Sequence, residues 1–222
     1  MSGDSGLPAG WIEAPLGALG TWMGGSTPSK SNEAYWRHGT VPWVTPKDMK
    51  TDIVQQAQDL ISAEAVRNSR LRLVPPDSLL MVVRSGILSH TLPVARNSVA
   101  VALNQDMKAL VLDGSVHADY LRYTLQRAAT AVLRQCGKHG TTVASLEASA
   151  LNRFVVPVAP LAEQRRIADK LDELLSQVAA GEAALERVRA NLARYRAAVL
   201  KAAVEGRLTA DWRATHPTPE PA

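Results

Sequence analysis

From Leu161 to Glu205 the chain contains no proline, and its large apolar residues fall at Ile167, Leu171, Leu174, Val178, Leu185, Val188, Leu192, Tyr195 and Val199. The steps alternate four and three, with Gly181 at the one missing position. Sustained alternation of this kind is the a/d seam of a coiled coil. Drawn straight, such a helix would be ~67 Å long at ~1.5 Å per residue. A domain built from the preceding residues and packed at one end could not cover that stripe. Burying each side chain is worth ~1.5–3 kcal/mol relative to exposure, so a second helix is needed, from another copy or another protein. The alternative is a long amphipathic helix folded back on its own domain. Gly181 is then a hairpin or a kink; in a paired helix it is a point of close approach. Glycine inside a helix costs ~1 kcal/mol against alanine, so it has a reason to be there. Pro157 and Pro160 mark the start of this segment and Gly206 its stop. Glu182, Glu186, Arg187 and Arg189 flank the seam and could set the pairing direction, each at little energy.

Residues 1–160 read differently, as short apolar runs broken by Gly, Pro, Ser and Asn. Strands are expected at Trp11–Ala14, Val41–Val44, Leu71–Val74, Leu79–Arg84, Val99–Leu103 and Ala109–Leu112. Helices are expected at Ala63–Ser69, Ala118–Gln135 and Ser145–Leu151. The fold class is therefore α/β (α+β): a globular domain over 1–158, one long coiled-coil-forming α-helix over 159–206, and a flexible tail over 207–222. Hydrophobic residues make up 46 % of the chain, enough for a folded core. No apolar run reaches the ~18 residues that span a membrane. Met1–Gly10 shows no basic or apolar region of a signal peptide. Cys136 is the single cysteine, which fits a reducing cytoplasm.

A search for catalytic chemistry finds little. His38, His90, His117, His139 and His216 have no metal-ligand spacing. Gly137-Lys138-His139-Gly140-Thr141-Thr142 lacks the order of a P-loop, and no nucleophile elbow or dinucleotide fingerprint occurs. Cys136 after a helix reads as inert packing. No catalytic residue, metal or cofactor is assigned to the chain.

The net charge is +4, with 15 basic against 12 acidic residues in 1–160, which fits a nucleic-acid partner without requiring one. Lys30, Arg37, Lys47, Arg84, Arg96 and Lys138 lie in or beside expected loops, where Gly, Ser and Thr can present N–H and hydroxyl groups to phosphate. The loops around Lys30–Arg37, Arg84–Arg96 and Lys138–Thr142 add Ser85, His90, His139 and Thr141 as candidate DNA contacts. Ordinary surface charge is the competing reading for each. Trp36 and Trp43 flank Arg37 and His38 and could stack on bases, but core is the preferred assignment.

An ordered set of segments carries a resemblance. Leu7-Pro8-Ala9-Gly10-Trp11, Leu16-Gly17, Gly25-Ser26-Thr27-Pro28-Ser29, Tyr35-Trp36 and Val41-Pro42-Trp43-Val44-Thr45-Pro46-Lys47-Asp48-Met49 come first. Asn104-Gln105-Asp106-Met107-Lys108-Ala109-Leu110 and Gly140-Thr141-Thr142 follow. Val156-Pro157-Val158-Ala159-Pro160-Leu161-Ala162-Glu163-Gln164-Arg165-Arg166-Ile167 leads into Leu171-Asp172-Glu173-Leu174-Leu175, Tyr195-Arg196-Ala197-Ala198-Val199-Leu200 and Glu205-Gly206-Arg207-Leu208-Thr209. Together these resemble a Type I restriction–modification specificity subunit: the opening, middle and final turn of a target recognition domain, the hinge, and the spacer helix with its end.

The resemblance implies a non-catalytic subunit that reads double-stranded DNA. Family members carry two recognition domains, each followed by a long helix, with the helices antiparallel. Each domain reads one half of a split site. Methyltransferase subunits bind along the helices and methylate adenine with S-adenosylmethionine, and a restriction/translocase subunit can join. This chain has one recognition domain and one helix, so it is expected to be a half-subunit, natural or a fragment, pairing as a homodimer. Two other classes stay open: a coiled-coil adaptor whose α/β domain binds protein, and an enzyme in its own right.

Overall fold

The structure, a computed structural model, describes residues 6–69, 71–138 and 143–216. It divides into two compact units, Met1–Asp169 and Lys170–Ala222. The first unit begins with strands β1 (Ile12–Pro15), β2 (Gly20–Gly24), β3 (Val41–Val44), β4 (Ile53–Val54) and β5 (Asp59–Ile61), then helix α1 (Ala63–Asn68). Strands β6 (Leu79–Val82), β7 (Val94–Asn97), β8 (Ala102–Leu103) and β9 (Met107–Leu112) follow. Helices α2 (Ala118–Arg127), α3 (Ala129–Cys136) and α4 (Ala148–Arg153) precede β10 (Val155–Val158) and the long helix α5 (Leu161–Val204). A short helix α6 (Ala210–Thr215) lies in the second unit. The mixed α/β domain and the long helix match the expected fold class.

The main sheet has the order β2-β9-β6-β7-β4. Its centre, β6, is buried at all four positions, which is why Leu79-Leu80-Met81-Val82 is apolar throughout rather than alternating. Helix α2 contributes Tyr120, Leu121 and Leu125 to the main core. A smaller sheet, β5-β3-β8, has its own cluster of Trp43, Ile61, Ala65, Leu71 and Ala102, with Tyr35, Trp36, Val41 and Val66 packed against it. Strands β1 and β10 pair, bringing both ends of the domain together just before α5.

Several boundaries differ from the sequence reading, each for a local reason. Leu71–Val74 is not a strand. Only Val74 pairs, in a bridge to Val101, because Pro75 and Pro76 have no N–H to extend the ladder. That bridge also takes Val101, so the strand expected over Val99–Leu103 shrinks to Ala102–Leu103. The helix expected from Ser145 starts at Ala148, since Ser145 and Leu146 bridge to Arg84 and Gly137. The helix expected over Ala118–Gln135 breaks at Ala128, where ψ rises to 3°. Beyond the break, Val132 and Cys136 reach the core. Strands β2, β4, β5, β7 and β10 had no assignment. In β2, a Cβ on Gly20 would lie 2.1 Å from the Val111 carbonyl oxygen, so glycine there marks close packing on β9 and not a turn. Residues 207–215, read as part of a flexible tail, form a 3-10 turn and α6.

Helix α5 begins where Pro160 accepts the N–H groups of Glu163 and Gln164. Gln164 is fully buried. Its Oε1 accepts from the His117 N–H at 2.7 Å, and its Nε2 donates to the Ala159 carbonyl at 2.7 Å. Ala168 is buried and Ile167 packs against the main core. The first turns of α5 are thus part of the first unit. In the second unit the helix continues through Gly181 without interruption, so no hairpin forms there. Its seam is open: Leu174, Val178, Leu185, Val188, Leu192 and Tyr195 are 44–70 % exposed, while Leu171 and Val199 are partly covered. Replacing Gln164 with Ala strands the buried Ala159 carbonyl and the part-buried His117 N–H, and we expect a loss of about 2 kcal/mol of stability. Urea unfolding followed by circular dichroism measures it; an unchanged midpoint would contradict the role given to this amide.

Candidate nucleic-acid interface

The segment after β2 is pinned against the small sheet. The indole N–H of Trp43 donates to the Ser26 carbonyl and that of Trp36 to the Ser29 carbonyl, both at 3.1 Å. The two rings meet edge to face, centroids 5.1 Å apart at 88°. Asn32 caps the 3-10 turn Glu33–Tyr35. The result is a cleft lined by Lys30, Glu33, Trp36, Arg37, Trp43 and Asp59. Trp43 is core, as the sequence reading held, but Trp36 is only half-buried and forms a wall. Lys30 and Arg37 are exposed, and Arg37 pairs with Glu33 at 2.5 Å.

A second cleft opens at the far end of β3. It is lined by Pro46, Arg84, Ser85, Gly86, Asp106, Lys138, Val143 and Ser145. Arg84 pairs with Asp106 at 2.6 Å. Ser85 caps the 3-10 turn Gly86–Ser89, and Lys138 is exposed beside it, its N–H bonded to the Ser145 carbonyl. Lys47 sits in a neighbouring groove with Lys50, on a turn closed by a Thr45–Asp48 capping box. The two clefts are linked through β3 and through a chain of contacts. Thr27 bonds Gln105, whose amide reaches Asp106, the partner of Arg84. The structure therefore brings Lys30 with Arg37, and Arg84 and Ser85 with Lys138.

The remaining candidates stand apart from these clefts. Arg96 is committed to Asp77 at 2.7 Å and Asp119 at 3.1 Å, in a network that includes buried Arg122. His90 is exposed and ends the turn that Ser85 begins. His139 and Thr141 lie outside the described residues. Sequence reasoning passed over Asp59, which carries no motif and joins the first cleft through β-pairing with Trp43. Among the described residues no group of three His, Cys, Asp or Glu side chains could hold a metal ion, and no helix is long and apolar enough to cross a membrane.

The family model for the Type I restriction modification DNA specificity domain matches residues 8–189. The chain is 39 % identical over 169 residues to the Type I restriction enzyme EcoR124I/EcoR124II specificity subunit of Escherichia coli, covering 75 % of this chain and 42 % of that one. Two solved structures share the fold. One, from work on complex assembly and conformational transition of the type I R-M system, has a TM-score of 0.70 at 23 % identity, covering 91 % of this chain and 48 % of that one. The other, the HsdS subunit from Thermoanaerobacter tengcongensis, has a TM-score of 0.61 at 22 % identity, covering 81 % and 41 %. The chain spans less than half the length of each of these relatives.

Cys136 is buried at the end of α3, and burial, with the nearby Glu147 carboxylate, raises its thiol pKa. A raised pKa means less thiolate at any pH near neutrality, hence a poor nucleophile. Alkylation by iodoacetamide at pH 8 should be at least roughly tenfold slower in the folded chain than in urea. Equal rates would contradict the packing role.

Proposed function

The chain belongs to the Type I restriction–modification DNA specificity family, and on that premise we propose that it reads duplex DNA sequence for partner enzymes and performs no chemistry itself. The observation that carries this reading is the pair of cation-bearing clefts linked through β3, one holding Lys30 and Arg37 and the other Arg84 and Lys138. Exposed lysines on loops suit phosphate contacts, and those contacts set position and register. Ser85 and the neighbouring Lys47 belong to the same proposed surface, and His90, His139 and Thr141 are proposed DNA contacts on the sequence alone. Arg96, already neutralised by two carboxylates, has the least charge to offer it.

In this reading residues 1–158 are the target recognition domain, 159–206 the spacer and dimerisation helix, and 207–222 the tail. A methyltransferase subunit supplies S-adenosylmethionine and the adenine methylation, a restriction/translocase subunit can join, and the complex works in the cytoplasm. The open seam on α5 supports pairing with a second copy. Two copies related by a two-fold axis read an inverted repeat with an unread spacer.

Two measurements test this. Lys30→Ala and Lys138→Ala should each weaken DNA binding evenly across sequences and lower the salt slope by about 1. Salt-independent binding, or none, would favour a protein-binding adaptor. Leu185→Asp with Leu192→Asp should turn dimers into monomers in sedimentation and abolish site-specific binding. A wild-type chain that stays monomeric at micromolar concentration would defeat the dimer.

A further inference from the structure

We infer that Asp59 reads a base: its carboxylate accepts a hydrogen bond from the exocyclic amine of a cytosine or adenine presented to the Trp36–Trp43 cleft. The inference rests on the proposed DNA-reading function and adds which group discriminates and which base chemistry it takes.

Asp59 opens the edge strand β5, opposite Trp43 in the register, and lines the cleft with Lys30 and Trp36. It is exposed. The other nearby carboxylates are occupied. Glu33 pairs with Arg37 and Asp106 with Arg84. Asp48 holds the N–H groups of Thr45 and Gln58, both at 2.8 Å. Among the described residues, Asp59 alone of this group makes no hydrogen bond or ion pair through its carboxylate.

A free carboxylate facing DNA is repelled by every phosphate near it. On a base edge, an amine donor is the group that offsets that repulsion. In the major groove these donors are cytosine N4 and adenine N6, and carboxylates are suited to the first. The neighbouring aromatics cannot compete for this task. Both indole N–H groups are spent on the Ser26 and Ser29 carbonyls, so the rings offer only apolar surface. Lys30 on the rim is placed to hold a phosphate while the carboxylate reads the edge. The cleft thus separates positioning from discrimination.

The test is selection of bound sequences from a randomised duplex library by the full chain, in complex with the methyltransferase subunit that co-purifies with it. Wild type, Asp59→Ala, Asp59→Asn and Lys30→Ala are compared. Wild type should prefer an amine-bearing base at one position. Asp59→Ala should lose that preference by on the order of tenfold there and nowhere else, with overall affinity unchanged or higher. Asp59→Asn, which keeps the shape and adds a donor, should alter the preferred base. Lys30→Ala should weaken binding without touching preference. An unchanged motif in Asp59→Ala beside a normal wild-type motif would overturn this assignment alone. An even loss of affinity across all sequences in Asp59→Ala would also overturn it. A wild-type complex with no sequence preference would overturn the DNA reading and this assignment together.

Discussion

One buried amide joins the α/β domain to the start of the long helix. Gln164 occupies the interior, where an unpaired amide would be costly, and its side chain satisfies backbone groups from two separate segments. Remove it, and His117, the residue that opens α2, and Ala159, the residue just after β10, each lose a partner. The first turns of α5 are then fixed by Ile167 and Ala168 packing alone. The β1–β10 pair plays a matching part, closing the two ends of the domain beside this point. One hydrogen-bonded side chain and two apolar ones thus hold the first turns of the helix on the domain.

The α/β domain is built mainly on two sheets. The main sheet is buried around β6 and serves as scaffold. The small sheet, with its own core around Trp43, carries one cleft beside Trp43, while the other lies between Pro46 and the segments that follow β6 and precede β9. Charge is handled differently in the two places. In the scaffold, Arg96 and Arg122 are locked by Asp77, Asp119 and Asp52. In the first cleft Lys30 and Arg37 face Glu33 and Asp59, whereas in the second Arg84 and Lys138 face Asp106 alone, which leaves one positive charge there for a polyanion.

What was legible in the sequence follows from range of interaction. The helix over 161–204 was readable because its pattern repeats across many turns and needs no tertiary information. Strand β6 was readable as an unbroken apolar run. Strand β7 was not, because Val94-Ala95-Arg96-Asn97 ends in polar residues whose burial depends on distant partners. Asn97 bonds the Ser78 N–H at 3.0 Å and the Pro75 and Val99 carbonyls at 2.8 Å. Strand β5 is too short to show a pattern, and β2 is bounded by glycines, which interrupt one. The same limit hid part of the candidate surface. Lys30, Arg37, Arg84 and Lys138 announce themselves as loop cations, but Asp59 and the exposed side of Trp36 gain meaning only when β3, β5 and the Ser26–Ser29 segment meet.

The central claim is that this chain chooses the DNA sequence on which other subunits act. Mapping methylated adenines in cells that express it with its methyltransferase subunit, against cells lacking only this chain, tests that most directly. The account predicts methylation at one recurring split motif that disappears when the chain is removed. A methylation pattern that is the same with and without the chain would contradict it.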